Sequence, residues 1–385
     1  MSSPLITLYR IFSLILALLA GGLSVLLLTV SQSTAATLFG TAALILSLMP
    51  LMHCIVRELN SDVLPSLVFI AFLIGVGLGV WLFVTAPKGQ AEESARVQNR
   101  YVGKWAYPRA AITNMVPELD QLLLGLKVAP FADKYLTRPQ ADHLAELTTA
   151  IYRELDADPD FNALGTVLPH VYDDVWSDRS NHRHYFLYIP PQVDRQKPAP
   201  LLVFLHGSGG NFKAYTWLLS KVADDLGMVL VAPSLGLGEW HEPGATDCVT
   251  GVLNNVTKVA AIDPKQRHLI GLSNGGLGVC RVGSHIAGFR SYAFISPVMD
   301  LKVPSMSGYE DRWNGHPALI LTGAKDDRVP LSSVEDAAAK LRDLKVNVRL
   351  EVYPDADHFL LFTHREKALK QLTDWLRSVG APAVE

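Results

Sequence analysis

Cysteine is scarce, with Cys54, Cys248 and Cys280 the only three in 385 residues. So few thiols, none in a C-x-x-C pair, exclude a disulfide framework and a thiolate metal or redox site. Positive charge is not in surplus either: the formal net charge is −3, which gives no reason to expect a nucleic-acid partner. Neither a phosphate-binding glycine–lysine loop nor a dinucleotide fingerprint is present, so no cofactor is expected. Internal repeats and low-complexity tracts are also missing. One further lack is local: residues 11–30, 36–56 and 63–85 contain no Lys, Arg, Asp or Glu.

Each of those three runs is predominantly apolar and near the ~20 residues a helix needs to cross a bilayer. Polar breaks at residues 31–34 and 57–62 separate them. The first run is too long for a signal-peptide core and is followed at once by two more, which points to an anchor that is retained. No ionisable side chain inside the runs suggests ion transport. With three spans, Arg10 and Arg57 share one side, and everything after residue 86 lies on the other. The positive-inside rule makes the first side cytoplasmic. The expectation is an integral protein of a membrane such as the bacterial inner membrane, with the bilayer as a partner and residues 87–385 facing the periplasm or exterior. The division read from the sequence is an anchor over 1–86, a helical connector over 87–182 and a catalytic domain over 183–385. Helical patterns occur at 115–126 and 140–155. In the second, Leu144, Leu147, Ile151 and Leu155 form an apolar stripe that must pack on something.

In the last section, apolar strands at Leu201, Met228, His268, Tyr292, Leu319 and Val348 alternate with helices near Lys213, Cys248, Asn274, Ser333 and Glu366. That rhythm predicts an α/β fold with a mostly parallel, doubly wound sheet and chemistry at the strand C-termini. One strand runs into Gly271-x-Ser273-x-Gly275, where glycines two residues either side of a serine permit the sharp strand-to-helix turn that exposes its hydroxyl. Another ends in His206-Gly207-Ser208-Gly209-Gly210, a loop whose backbone N–H groups can face a developing oxyanion. The expected donors are the N–H groups of Ser208 and Asn274. Asp326 follows a third strand, and His358 a fourth.

The order Ser, Asp, His, each just past a strand, resembles the α/β-hydrolase superfamily over residues 183–378. Asp263-Pro-Lys-Gln-Arg267, leading into Ser273-Asn-Gly-Gly276, is similar to the polyhydroxybutyrate-depolymerase and feruloyl-esterase branch. Prolyl-oligopeptidase-like peptidases share the S-x-G-G elbow. The chain departs from the depolymerase pattern in having no cysteine in the oxyanion loop and no Met after the double glycine. The resemblance implies Ser273 as nucleophile, His358 as general base and Asp326 as the acid that orients it. Asp326 is preferred to Asp327 because Asp326-Asp-Arg-Val-Pro330 matches the family spacing D-x-x-V-P. The activity implied is hydrolysis of a small-molecule or polymeric carboxylic ester. The same triad also serves peptidases and acyltransferases, and a silent hydrolase fold could act as a receptor or scaffold. The resemblance also sets Cys248 and Cys280 on neighbouring helices, where one bridge or two buried thiols would fit.

The other polar residues read more plainly. His206 is expected to hold its loop by its ring, and Asp355 and Asp357 to be loop acids. His182 and His184 alternate along a strand with no third ligand nearby, which makes two exposed or edge-strand histidines and no metal site. Trp240, His241 and Gly209 lie on loops expected beside the elbow, where they are candidates for substrate contact, with Trp240 either lining the acyl or alcohol pocket or packing a loop.

Overall fold

The structure, a computed structural model, describes residues 3–59, 62–87, 95–102, 114–134, 136–162, 164–168, 183–306, 308 and 310–380. The chain divides into two compact units, one of Met1–Lys88 with Pro108–Thr149 and the other of Gly89–Tyr107 with Ala150–Glu385.

The first unit is helical. Helix α1 (Ser3–Leu16), a π-helical stretch (Ala17–Gly21) and α2 (Gly22–Val30) form one continuous run. Helices α3 (Thr34–Leu59) and α4 (Leu64–Thr85) follow. All three are long and apolar enough to cross a membrane. Polar side chains within them bond to the preceding helical turn: Ser13 Oγ donates to Tyr9 O and Ser24 Oγ to Ala20 O, each at 2.7 Å. Small residues set the helix spacing, since a Cβ on Gly40 would stand 2.9 Å from Leu28 Cγ. Helix α5 (Glu118–Val128) packs on α2, and the unit boundary falls within α6 (Arg138–Asp156). The stripe expected on α6 buries Ile151 and Leu155, while Leu144 and Leu147 are half-buried.

The second unit is built on an eight-stranded sheet. After β1 (Val97–Val102) and a helical turn at Pro159–Asn162 come β2 (Arg183–Tyr188), β3 (Ala199–Leu205), α7 (Lys213–Leu226), β4 (Val229–Pro233) and α8 (Gly244–Val256). Then follow β5 (Ile262–Leu272), α9 (Gly275–His285), β6 (Phe289–Ile295), β7 (Pro317–Gly323), α10 (Leu331–Asp343), β8 (Asn347–Tyr353) and α11 (Arg365–Gly380). The strand order is β1-β2-β4-β3-β5-β6-β7-β8. Both pairings of β2 are antiparallel, and the rest are parallel. With helices on both faces, this is the α/β-hydrolase fold.

Strand β3 shows why the sheet is buried on both sides. Leu201, Val203 and Leu205 face a core shared with Val249 and Val279, while Leu202 and Phe204, also fully buried, point to the opposite face. Burying each such side chain contributes roughly 1.5–3 kcal/mol.

One feature differs from the sequence reading. The stretch 87–182, expected as a helical connector, supplies the edge strand β1, which pairs with the whole of β2 from Val97↔Tyr188 to Val102↔Arg183. Its sequence, Val-Gln-Asn-Arg-Tyr-Val, has no apolar alternation, because Gln98 and Asn99 are buried by hydrogen bonding rather than by hydrophobicity. The sheet therefore begins well before residue 183.

Candidate active site

Strand β5 ends at Leu272, and Ser273 turns the chain into α9 with φ of 50°. A serine held there stores of order 1–3 kcal/mol of strain, and the surroundings hold it in place. Its N–H donates to Ile295 O at 2.9 Å, and its carbonyl accepts from Gly276 N at 2.9 Å and Val298 N at 3.0 Å. The flanking glycines are sterically required. A Cβ on Gly271 would stand 2.3 Å from Gly275 O, and one on Gly275 would stand 2.1 Å from Leu205 O. The side chain of Ser273 remains half-exposed at the strand ends.

His358 follows β8 and reaches Ser273. Its Nε2 lies 2.9 Å from Ser273 Oγ, and its Nδ1 lies 2.8 Å from Asp326 Oδ2. Asp326 has no acidic proton to give when ionised, so Nδ1–H donates to it and Nε2 is left to accept from the serine hydroxyl. The second carboxylate oxygen is also engaged, accepting from Arg328 N at 3.0 Å and Val329 N at 2.8 Å. The acid and base loops are laced together by Ala324 N to Tyr353 O and Lys325 N to Ala356 O, both 2.9 Å. Asp327, by contrast, is exposed. Asp355 is exposed beside Lys325, and Asp357 accepts from Phe359 N at 2.9 Å, as loop acids do.

The glycine-rich loop after β3 lies against Ser273: a Cβ on Gly207 would meet Ser273 Cβ at 3.2 Å. Among the described residues, neither Ser208 N–H nor Asn274 N–H has an acceptor within the chain. His206 anchors this loop. Its Nδ1–H donates to Gly207 O at 2.8 Å, and its Nε2 accepts from Leu235 N–H at 3.1 Å, which fixes one neutral tautomer. Complete burial pushes its pKa down to about 4, against a smaller opposing effect of the Gly207 carbonyl.

The three residues considered for substrate contact fall in different places. Trp240 is fully buried: its indole N–H donates to His206 O at 2.8 Å and its ring packs edge-on against the His206 ring. It supports the loop from within and offers no surface to a substrate, the second of the two readings, because the indole needs both an acceptor and apolar cover. His241 is exposed, next to Glu242. Gly209 has φ of 94° and donates its N–H to Leu237 O at 3.0 Å.

A buried polar chain behind the loop is invisible in local sequence. Asn99 Oδ1 on β1 lies 3.2 Å from His184 Nε2, and His184 Nδ1 lies 2.8 Å from Ser234 Oγ. Ser234 Oγ in turn accepts from Asn211 Nδ2 at 3.0 Å. Asn211 directly follows the glycine run, so the chain ties that loop to both antiparallel strands. The one sequence signal was a polar Ser234 closing an apolar strand. His184 is thus a buried link, and His182 lies outside the described residues. Among the described residues no group of three or more His, Cys, Asp and Glu is placed to hold a metal ion. Cys248 and Cys280 are both buried free thiols, and burial pushes Cys280 up to about 12.

Residues 302–381, which include Asp326 and His358, match the prolyl oligopeptidase family, Peptidase_S9. Among solved structures, the chain is similar to a thermophilic esterase from the Planctomycetes species Thermogutta terrifontis, at 16% identity and a TM-score of 0.44, over 54% of this chain and 92% of that one. It is similar also to a ferulic acid esterase, at 18% identity and a TM-score of 0.44, over 52% of this chain and 94% of that one. Comparison with curated proteins gives no match. The fold and the family match define the class: a serine hydrolase of the α/β-hydrolase fold.

Proposed function

We propose that this chain is a membrane-anchored serine hydrolase that cleaves carboxylic esters through an acyl-enzyme on Ser273. The observation that carries the reading is the unbroken line of hydrogen bonds from Ser273 Oγ through His358 to Asp326, 2.9 and 2.8 Å long. His358 Nε2 takes the hydroxyl proton as Oγ attacks the ester carbonyl, and the oxygen's electron pair forms the new C–O bond. The carbonyl π pair moves onto oxygen, where the N–H groups of Ser208 and Asn274 receive it. Collapse expels the alkoxide, which takes the proton from His358. Water then repeats the sequence on the acyl-enzyme and releases the acid. Asp326 holds the imidazole tautomer and stabilises the imidazolium without taking a proton.

The preference for an ester rests on the elbow, Asp263-Pro-Lys-Gln-Arg267 followed by Ser273-Asn-Gly-Gly276. In the structure Arg267 donates to Ala287 O at 2.8 Å and Gly288 O at 3.2 Å, so this motif fixes the turn between α9 and β6. A second reading, a prolyl-peptide hydrolase, is favoured by the family match over residues 302–381. A panel of p-nitrophenyl esters of increasing acyl length beside a prolyl-peptide substrate separates the two. Turnover of the peptide without turnover of any ester would replace the first reading by the second.

The anchor reading rests on three charge-poor helices, with Arg10 paired to Glu58 at 2.5 Å near one end. Arg57 lies at that same end, which we assign to the cytoplasm. Residues after Thr85 then lie outside, and protease added to intact spheroplasts digests the hydrolase. Protection until lysis would reverse the assignment.

A further inference from the structure

We infer that α5 and the turn after it form a second membrane contact, an interfacial element seated among phospholipid headgroups where residues 31–33 join the first two spans. The inference rests on the reading of those helices as membrane-spanning. Asp120 provides the fixed point. Its carboxylate is buried and accepts from Gln32 N at 2.6 Å, Ser33 N at 3.3 Å and Ser33 Oγ at 2.7 Å. Ser33 Oγ then accepts from Ala36 N at 3.0 Å in the first turn of α3. A carboxylate held by three donors beside a helix N-terminus is a strong link, because each bond is charge-assisted and the helix dipole favours the anion. Helix α2 ends at Val30 and α3 begins at Thr34, so this turn marks one surface of the bilayer. Whatever depth the turn takes, the first turn of α5 shares it.

The two ends of the element differ. Leu119 and Leu123, one helical turn apart, are buried. Toward the other end, Val128 is 41% and Phe131 75% exposed. Phe131 is the most exposed large apolar side chain among the described residues, the spans included. The guanidinium of Arg138 sits 5.3 Å from the centre of its ring, and Lys127 is exposed in the last turn of α5. An aromatic ring turned outward with cations beside it suits the boundary where acyl chains meet phosphates: the ring enters the apolar layer and the cations reach up to the headgroups.

Spin labels on the full-length protein in nanodiscs of phosphatidylethanolamine and phosphatidylglycerol test this. Cys54→Ser removes the accessible thiol, since the other two are buried. Labels then go singly on Phe131→Cys, Val128→Cys, Val80→Cys in the last third of α4 and Lys197→Cys on the hydrolase surface. Accessibility to oxygen is compared with accessibility to a water-soluble nickel chelate. The expected result places positions 128 and 131 between the lipid-buried label at 80 and the water-exposed label at 197, with chelate access at least several-fold below that at 197. Should the Phe131→Cys protein fail to fold, position 128 gives the same reading. Chelate access at 128 and 131 equal to that at 197, with 80 still shielded, would overturn the inference and leave the anchor standing. Chelate access at 80 would overturn both.

Discussion

Gly207 approaches Ser273 so closely that a Cβ on the glycine would lie 3.2 Å from the serine Cβ and 3.3 Å from Leu272 O. On the proposed mechanism, this loop offers the N–H of Ser208 to the oxyanion. Gly207→Ala must push the loop away by a few tenths of an ångström. The expected outcome is a folded protein whose kcat falls by roughly 10²-fold while KM changes little, as when one oxyanion donor is lost. Steady-state kinetics with a short ester check it, and a KM defect with normal kcat would mean that Gly207 shapes substrate binding instead.

The two adjacent acids should behave differently. Asp326 is buried and holds His358, whereas Asp327 is exposed. Asp326→Asn is expected to lower kcat by about 10⁴, because the amide no longer selects the imidazole tautomer. Asp327→Asn is expected to stay within about tenfold of the parent. Circular dichroism of each variant separates lost chemistry from lost fold.

Stability should fall on mild acidification. His206 and His268 are both buried and neutral, and burial lowers each from 6.5 to about 4, with Arg290 adding to the effect at His268. In the unfolded chain they protonate near 6.5, so between pH 6.5 and 4 the unfolded state binds more protons. Their contribution to stability is therefore complete above about pH 6.5 and is lost as pH falls toward 4, at up to roughly 1.4 kcal/mol per pH unit for each. Thermal melts across that range should show a declining Tm. His268→Asn, which keeps a polar group for Ser291, should flatten the decline; an unchanged slope would exclude His268 as a contributor.

What could be read from sequence follows the range of the forces involved. The three apolar helices and the parallel strands are legible because burial on all sides leaves long apolar runs. The elbow is legible because its glycines and serine are adjacent. Ser273, Asp326 and His358 lie up to 85 residues apart yet come within hydrogen-bond distance, and strand order alone suffices to suggest it, since each follows a strand of one sheet. Strand β1 is hidden because two of its three buried residues, Gln98 and Asn99, are polar. Asp120 was hidden because its partners at Gln32 and Ser33 are almost ninety residues away. The same holds for Asn99, His184, Ser234 and Asn211, each ordinary in its own neighbourhood and joined only by tertiary packing. The sequence puts Trp240 on a loop after a strand, but does not say which way its indole faces.

The most direct test of the account is covalent labelling of Ser273. The parent protein, in detergent or nanodiscs, should react with a fluorophosphonate probe at one serine and hydrolyse short p-nitrophenyl esters. Ser273→Ala should be unlabelled and slower by roughly 10⁴-fold or more at an unchanged Tm. A folded Ser273→Ala protein that still takes the label, or still turns over ester at the parent rate, would contradict the assignment of Ser273 as the nucleophile.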